Sequence, residues 1–202
     1  MLMYDERELV RAYCLKMLEK GLTTGTGGNI SILNRGKGYY AMSPSSMDYH
    51  LIRPEDVVII DLEGKVVDGM RKPSIEHVMH RVFYTDRDDI GAVVHTHSSY
   101  ATAIACLNEP IPAVHFLIKL GGGTEVPCAP YERPGSPELA RMAFEQMRGR
   151  RATLLQNHGL IAGGETIERA MLIAEELEYV SHIYCIAKAM GTPNILPKEQ
   201  LL

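Results

Sequence analysis

Two histidines stand two residues apart in the run Val93-Val94-His95-Thr96-His97. The run is apolar and β-branched, which predicts a strand over residues 92–97. Along a strand, side chains two apart point to one face, about 6.5–7 Å from each other. Two imidazoles so placed can converge on one ion. Zinc takes histidine nitrogens, and a catalytic zinc site uses three protein ligands and leaves one position open. His158, in Gln156-Asn157-His158-Gly159, offers a third imidazole at a turn after an apolar run. That is a sheet end, where functional side chains gather. The same patterns also fit two unrelated surface histidines and a turn histidine without a role. His50, His77, His80, His115 and His182 show no comparable spacing. His80 lies four residues beyond Glu76 and reads as its partner on one helix face.

Glu76 follows Lys72-Pro73-Ser74-Ile75, a plausible helix start. A carboxylate there either complements the helix dipole or moves protons. The loop Thr23-Thr24-Gly25-Thr26-Gly27-Gly28-Asn29 is rich in glycine. Its backbone N–H groups could cradle a phosphate, or it could be a plain loop, since it matches neither a P-loop nor GxGxxG. Ser43-Pro44-Ser45-Ser46 adds hydroxyls, with an ordinary turn as the alternative.

The elements that must position these groups follow from periodicity and turn residues. A first helix opens at Asp5 and stops at Gly21. Strands are predicted over residues 30–33 and 39–42, then 57–61 and 65–67 around Glu63-Gly64. A helix runs over 74–84, the histidine strand over 92–97, and a helix through Ala105. Residues 111–115 and 125–128 read as strands. Ser136-Pro137-Glu138 opens a helix with a cap residue, a first-turn proline and an acid near the positive end. Strands over 152–156 and 160–162 flank Asn157-His158-Gly159, and a last helix runs from Thr166 to Met190. The mixture is α/β or α+β. Alternation favours a parallel sheet, whereas the hairpin signals favour antiparallel pairing.

The 202 residues fit about one domain, and 46% hydrophobic with 23% charged residues is ordinary globular composition. Lys plus Arg number 21 against 25 Asp plus Glu, net −4, so no basic excess points to nucleic acid. No apolar run approaches the ~20 residues of a membrane span, and the early charges Asp5 to Glu8 do not read as a signal peptide. The scattered Cys14, Cys106, Cys128 and Cys185 suggest reduced, mostly buried thiols in a cytoplasmic protein. The 11 methionines read as core filling.

Taken in chain order, GTGGNIS, SPSS, PSIE, VVHTH, PCAPY and ATLLQNHG resemble the class II aldolase/adducin-head family over nearly the whole chain. The resemblance implies a single domain over residues 1–202, with a central, mainly antiparallel sheet flanked by helices. It implies one Zn2+ per chain on His95, His97 and His158. Glu76 would be the catalytic acid/base, also touching the zinc when no substrate is bound. Phosphate would fall on Gly28, Asn29, Ser45, Ser46, Ser74 and Ile75. The implied assembly is a cyclic homotetramer with active sites between subunits. The implied reaction is reversible cleavage of a ketose 1-phosphate, such as L-fuculose 1-phosphate, to dihydroxyacetone phosphate and an aldehyde.

Four departures bear on the substrate. The family's aldolases usually carry Gly at the place of Ser46, a second Ser at Ile75 and Tyr at Phe116, and they continue into a longer tail than one ending at Leu202. Ile75 can offer only its backbone N–H, and Phe116 cannot donate a proton. A 5-deoxy- or 5-methylthio-ribulose 1-phosphate is therefore an alternative substrate. A ribulose-phosphate 4-epimerase would resemble its relatives in an aspartate where this chain has Lys119-Leu120-Gly121-Gly122. A methylthioribulose-1-phosphate dehydratase would lack the Pro-Ser-x-Glu motif. A non-catalytic adducin-like module should have lost the histidines.

Overall fold

A computed structural model describes residues 1–201. Among these residues the strands are β1 (Asn29–Asn34), β2 (Tyr39–Met42), β3 (Val58–Asp61), β4 (Val66–Asp68), β5 (Ala92–Thr96), β6 (Cys128–Ala129), β7 (Ala152–Leu155) and β8 (Gly159–Gly164). They form one open sheet in the order β4-β3-β2-β1-β5-β8-β7-β6. Neighbours pair antiparallel except β6 with β7, so the hairpin signals outweigh the alternation of elements. The helices are α1 (Tyr4–Glu19), α2 (His77–Asp86), α3 (Ser99–Cys106), α4 (Pro137–Gln146) and α5 (Ile167–Met190).

The central strands are apolar at nearly every position because helices cover both faces. Successive side chains alternate between two cores. Ile30, Ile59, Ala92, Val94, Leu160 and Ala162 pack with α1, α3 and α5, whereas Leu33, Ile60, Val93 and Ile161 pack with α2 and α4. The same alternation sends His95 to the face shared with α2. Burial of such side chains is worth about 1.5–3 kcal/mol each, so the sheet centre is a rigid platform.

Several boundaries differ from the sequence reading. Helix α1 begins at Tyr4, behind Met3 with φ 53° and without a side-chain cap. The helix predicted from Ser74 begins at His77, with Glu76 at its N-cap, because Ser74 is drawn into a bridge beside Ser43. The strands expected over 111–115 and 125–128 shrink to a bridge between Ile111 and Val126, a 3-10 turn over Phe116–Gly121 and the short β6. Pro110, Pro112 and Pro127 flank the two bridged residues, and proline has no N–H to extend a ladder. Of the four cysteines only Cys14 is buried; Cys106 is exposed and Cys128 and Cys185 are partly so. Ser136 caps α4 as expected, accepting from the Leu139 N–H at 3.1 Å.

Candidate active site

The sheet centre carries the chemistry. His95 pairs with Asn29 of β1 on one side and Ile161 of β8 on the other, and it is fully buried. Strand β5 ends at Thr96, one residue earlier than expected, so His97 lies just past its end. His158 stands in the tight turn between β7 and β8, beside Asn157 with φ 55°. Gly159 lets this turn close on β5. A Cβ there would stand 2.2 Å from the Thr96 carbonyl oxygen and 3.2 Å from the His97 ring, so any side chain would push His158 away from His97.

Three imidazoles therefore meet from two strand ends. Nε2 of His95 lies 3.0 Å from Nε2 of His97 and 3.2 Å from Nε2 of His158. The Glu76 carboxylate arrives from the start of α2. Its Oε2 is 3.2 Å from His95 Nε2 and its Oε1 is 3.4 Å from His158 Nε2. One ligand atom from each of the four residues lies within 4.8 Å of the others.

Neighbouring groups orient the cluster. His95 Nδ1 is 2.9 Å from the Leu160 carbonyl oxygen. An N–H must donate there, which leaves the Nε2 lone pair facing the other two rings. Asn29 donates from Nδ2 to Glu76 Oε2 at 2.8 Å. Burial opposes ionisation of Glu76, but the charges and hydrogen bonds of His95, His158 and Asn29 outweigh it and hold the carboxyl well below its usual range. Burial, reinforced by His95, lowers His97 to about 4 and His158 to about 3. Both are thus neutral and able to ligate at pH 7. Burial also works against the charge on His95, but the Glu76 carboxylate overrides it and raises its pKa.

The group fits a divalent metal. Three nitrogen lone pairs crowded tip to tip repel one another unless a cation sits among them, and Glu76 Oε1, which faces them, is buried without a hydrogen-bond partner. Three imidazoles and a carboxylate form a borderline donor set of the kind zinc takes.

Of the other predicted residues, Gly28, Asn29 and Ser74 touch this centre, and Ser45, Ser46, Ile75 and Phe116 are not part of it. Gly28 has φ +70°, and a Cβ there would stand 2.6 Å from the His95 carbonyl oxygen. Its neighbour Asn29 is buried. Ser74 is buried, and its Oγ accepts from the Glu76 N–H at 3.3 Å. Ser45 and Ser46 line an open cavity of about 450 Å³ with Arg71 and Lys72. Ile75 is 62% exposed and packs against Gly135. Phe116 is 55% exposed, its ring 4.6 Å from that of His115, and belongs to a surface outside the metal group.

Two polar arrangements escaped the sequence reading. His80 does not pair with the Glu76 side chain; its Nδ1 lies 2.7 Å from Ser31 Oγ, which also meets Tyr84 Oη at 2.6 Å. The position of Ser31 between core residues in β1 was the available signal. The Asn29–Glu76 pair joins residues 47 apart in sequence and had no local signal.

The chain is similar along its whole length to known aldolases. It is 52% identical over 201 residues to the 5-deoxy-D-ribulose 1-phosphate aldolase of Bacillus thuringiensis serovar kurstaki, covering 100% of this chain and 94% of the relative. It is 40% identical over 181 residues to the 5-methylthioribulose-1-phosphate/5-deoxyribulose-1-phosphate aldolase of Rhodospirillum rubrum, covering 90% and 80%. A solved L-fuculose 1-phosphate aldolase superposes with a TM-score of 0.95 at 45% identity, covering 98% of this chain and 92% of that one. The sequence profile described as Class II Aldolase and Adducin N-terminal domain matches residues 8–185. An antiparallel sheet carrying three histidines and a glutamate, matched this widely, places the chain in the class II aldolase and adducin N-terminal domain family, as an enzyme of its aldolase branch.

Proposed function

We propose that this protein cleaves a ketose 1-phosphate with an apolar aldehyde end, of the 5-deoxyribulose 1-phosphate type, to dihydroxyacetone phosphate and a short aldehyde. The observation that carries the substrate is the 52% identity, over the whole chain, to an enzyme named for 5-deoxy-D-ribulose 1-phosphate. The bare ring of Phe116 agrees with an aldehyde end that presents no hydroxyl. L-Fuculose 1-phosphate is the second reading, favoured by the 0.95 TM-score to an aldolase of that name.

His95, His97 and His158 would hold one zinc per chain, with Glu76 as a fourth ligand until substrate enters. When bound, zinc supplies a Lewis acid for the negative charge that develops on the oxygens next to C2. Cleavage breaks the C3–C4 bond, leaves its electron pair on the enediolate, and turns the C4 hydroxyl into the aldehyde as its proton departs. Glu76, ionised and steadied by Asn29, takes up the proton that leaves the C4 hydroxyl and delivers it to C3 in cleavage, and the transfer runs in reverse in condensation. Gly28, Asn29, Ser45, Ser46, Ser74 and the Ile75 N–H would hold the phosphate and so fix the reacting carbon. The reading extends to a cytoplasmic homotetramer with sites between subunits, which would give the exposed Phe116 a neighbouring site to face. It calls for no nucleic acid or membrane partner; among the described residues no helix is long and apolar enough to cross a membrane.

The test is a panel of ketose 1-phosphates, including the 5-deoxy, 5-methylthio and fuculose compounds, with release of dihydroxyacetone phosphate as the signal. The 5-deoxy compound should be cleaved with the highest kcat/KM. A preference for fuculose 1-phosphate by more than about 10⁴, the margin of a site that hydrogen-bonds a hydroxyl, would overturn the apolar reading. Release from none of them would overturn the ketose 1-phosphate assignment.

A further inference from the structure

Tyr49 has no part in the chemistry above, yet its buried hydroxyl reaches the glycine loop. The residue is 3% exposed. Its Oη lies 2.7 Å from the Gly27 carbonyl oxygen and 2.8 Å from that of Gly28. Burial, followed by the nearby Cys14 and Glu76, raises the phenol well above its ordinary value, so it stays protonated and donates to both carbonyls.

The placement of this hydroxyl has two consequences. In a trans peptide the N–H points opposite to the C=O. Turning the Gly27 and Gly28 carbonyls toward Tyr49 therefore turns the Gly28 and Asn29 N–H groups away from it. Those carbonyls, which would repel a phosphate, are kept occupied. The loop also rests directly on the metal ligands: a Cβ on Gly27 would stand 2.8 Å from His97 Nδ1, and one on Gly28 would stand 2.6 Å from the His95 carbonyl oxygen.

Tyr49 also belongs to the serine loop. It opens the 3-10 turn Tyr49–Leu51 behind Asp48, three residues after Ser46. The serine loop is in turn bridged to the segment before Glu76, through Ser45 N–H to the Lys72 carbonyl at 2.9 Å and Ser74 N–H to the Ser43 carbonyl at 3.1 Å. One hydroxyl thus links the glycine loop to the two serine-bearing segments.

We propose that Tyr49 is a positioning residue that sets the spacing between the phosphate end and the metal end of the substrate by pinning the Gly27–Gly28 backbone. The proposal rests on the assignment of phosphate to this loop. Tyr49→Phe removes the hydroxyl and keeps the ring. Amide hydrogen exchange at Gly28 and Asn29 should rise about tenfold over the native protein, the worth of one lost buried hydrogen bond, with metal content unchanged. KM for 5-deoxyribulose 1-phosphate should rise by about the same factor, with kcat within about threefold. Unchanged exchange in the loop overturns the pin whatever the kinetics. Raised exchange with an unchanged KM keeps the pin and overturns the assignment of phosphate to this loop. A fall in thermal stability with exchange raised evenly through the sheet would reduce Tyr49 to a core residue and overturn the proposal.

Discussion

The metal group and three exposed positions of the chain are built in opposite ways. His95 is fully buried, its ring fixed by the Leu160 carbonyl, and Glu76 is held by Asn29 and two histidines. Ser46, Ile75 and Phe116 are exposed, and Ile75 and Phe116 stand 62% and 55% open. A charged group in a low-dielectric setting needs close partners, so the four metal-site residues constrain one another through several elements at once. The exposed side chains have few such partners and can be exchanged with little effect on the platform. All three departures from the family's pattern within the body of the chain, at Ser46, Ile75 and Phe116, are exposed. On the proposed function, the reaction type resides in the buried centre and the choice of substrate at these exposed positions.

The largest effect should follow from breaking the centre. His158→Ala removes one of three imidazoles and should strip the metal and abolish cleavage, while the two cores keep the chain folded. Metal analysis with circular dichroism checks this, and full metal occupancy in the variant would refute the ligand assignment. Glu76→Gln keeps the shape but removes the proton acceptor. Turnover should fall by about 10²–10⁴ with metal content little changed, measured as kcat on the preferred substrate. Near-native turnover would return Glu76 to a helix-start carboxylate.

Changes at the exposed positions should be smaller and should alter preference rather than chemistry. Phe116→Tyr adds a hydroxyl where none exists. The ratio of kcat/KM for fuculose 1-phosphate to that for the 5-deoxy compound should rise by about tenfold, the worth of one hydrogen bond. An unchanged ratio would mean that another residue reads the aldehyde. Smallest of all is Ser46→Gly. Ser46 has φ 54°, a left-handed conformation that costs a non-glycine residue about 1–2 kcal/mol. Glycine should raise stability by up to about 1 kcal/mol in a denaturant titration, given its greater chain entropy. An accompanying rise in KM would show that the serine hydroxyl had been touching the phosphate.

Local pattern determined much of this protein by itself. The two-residue spacing brought His95 of β5 together with His97 just past its end, the Asn157-Gly159 turn placed His158 at a strand end, and Ser136-Pro137 opened α4, because each depends on a few adjacent residues. Order along the chain was enough to reveal the family. Tertiary structure decided what distant segments do to one another. It shortened the strands around Pro110, Pro112 and Pro127, since a ladder needs N–H groups that only a partner strand makes relevant. It moved the start of α2 from Ser74 to His77, because Ser74 bonds across to Ser43. It turned His80 from a helical partner of Glu76 into a buried partner of Ser31, and gave Asn29 and Tyr49 their contacts with Glu76 and the glycine loop. Burial rewards closing such contacts across long stretches of chain, and no local periodicity records which pairs will close.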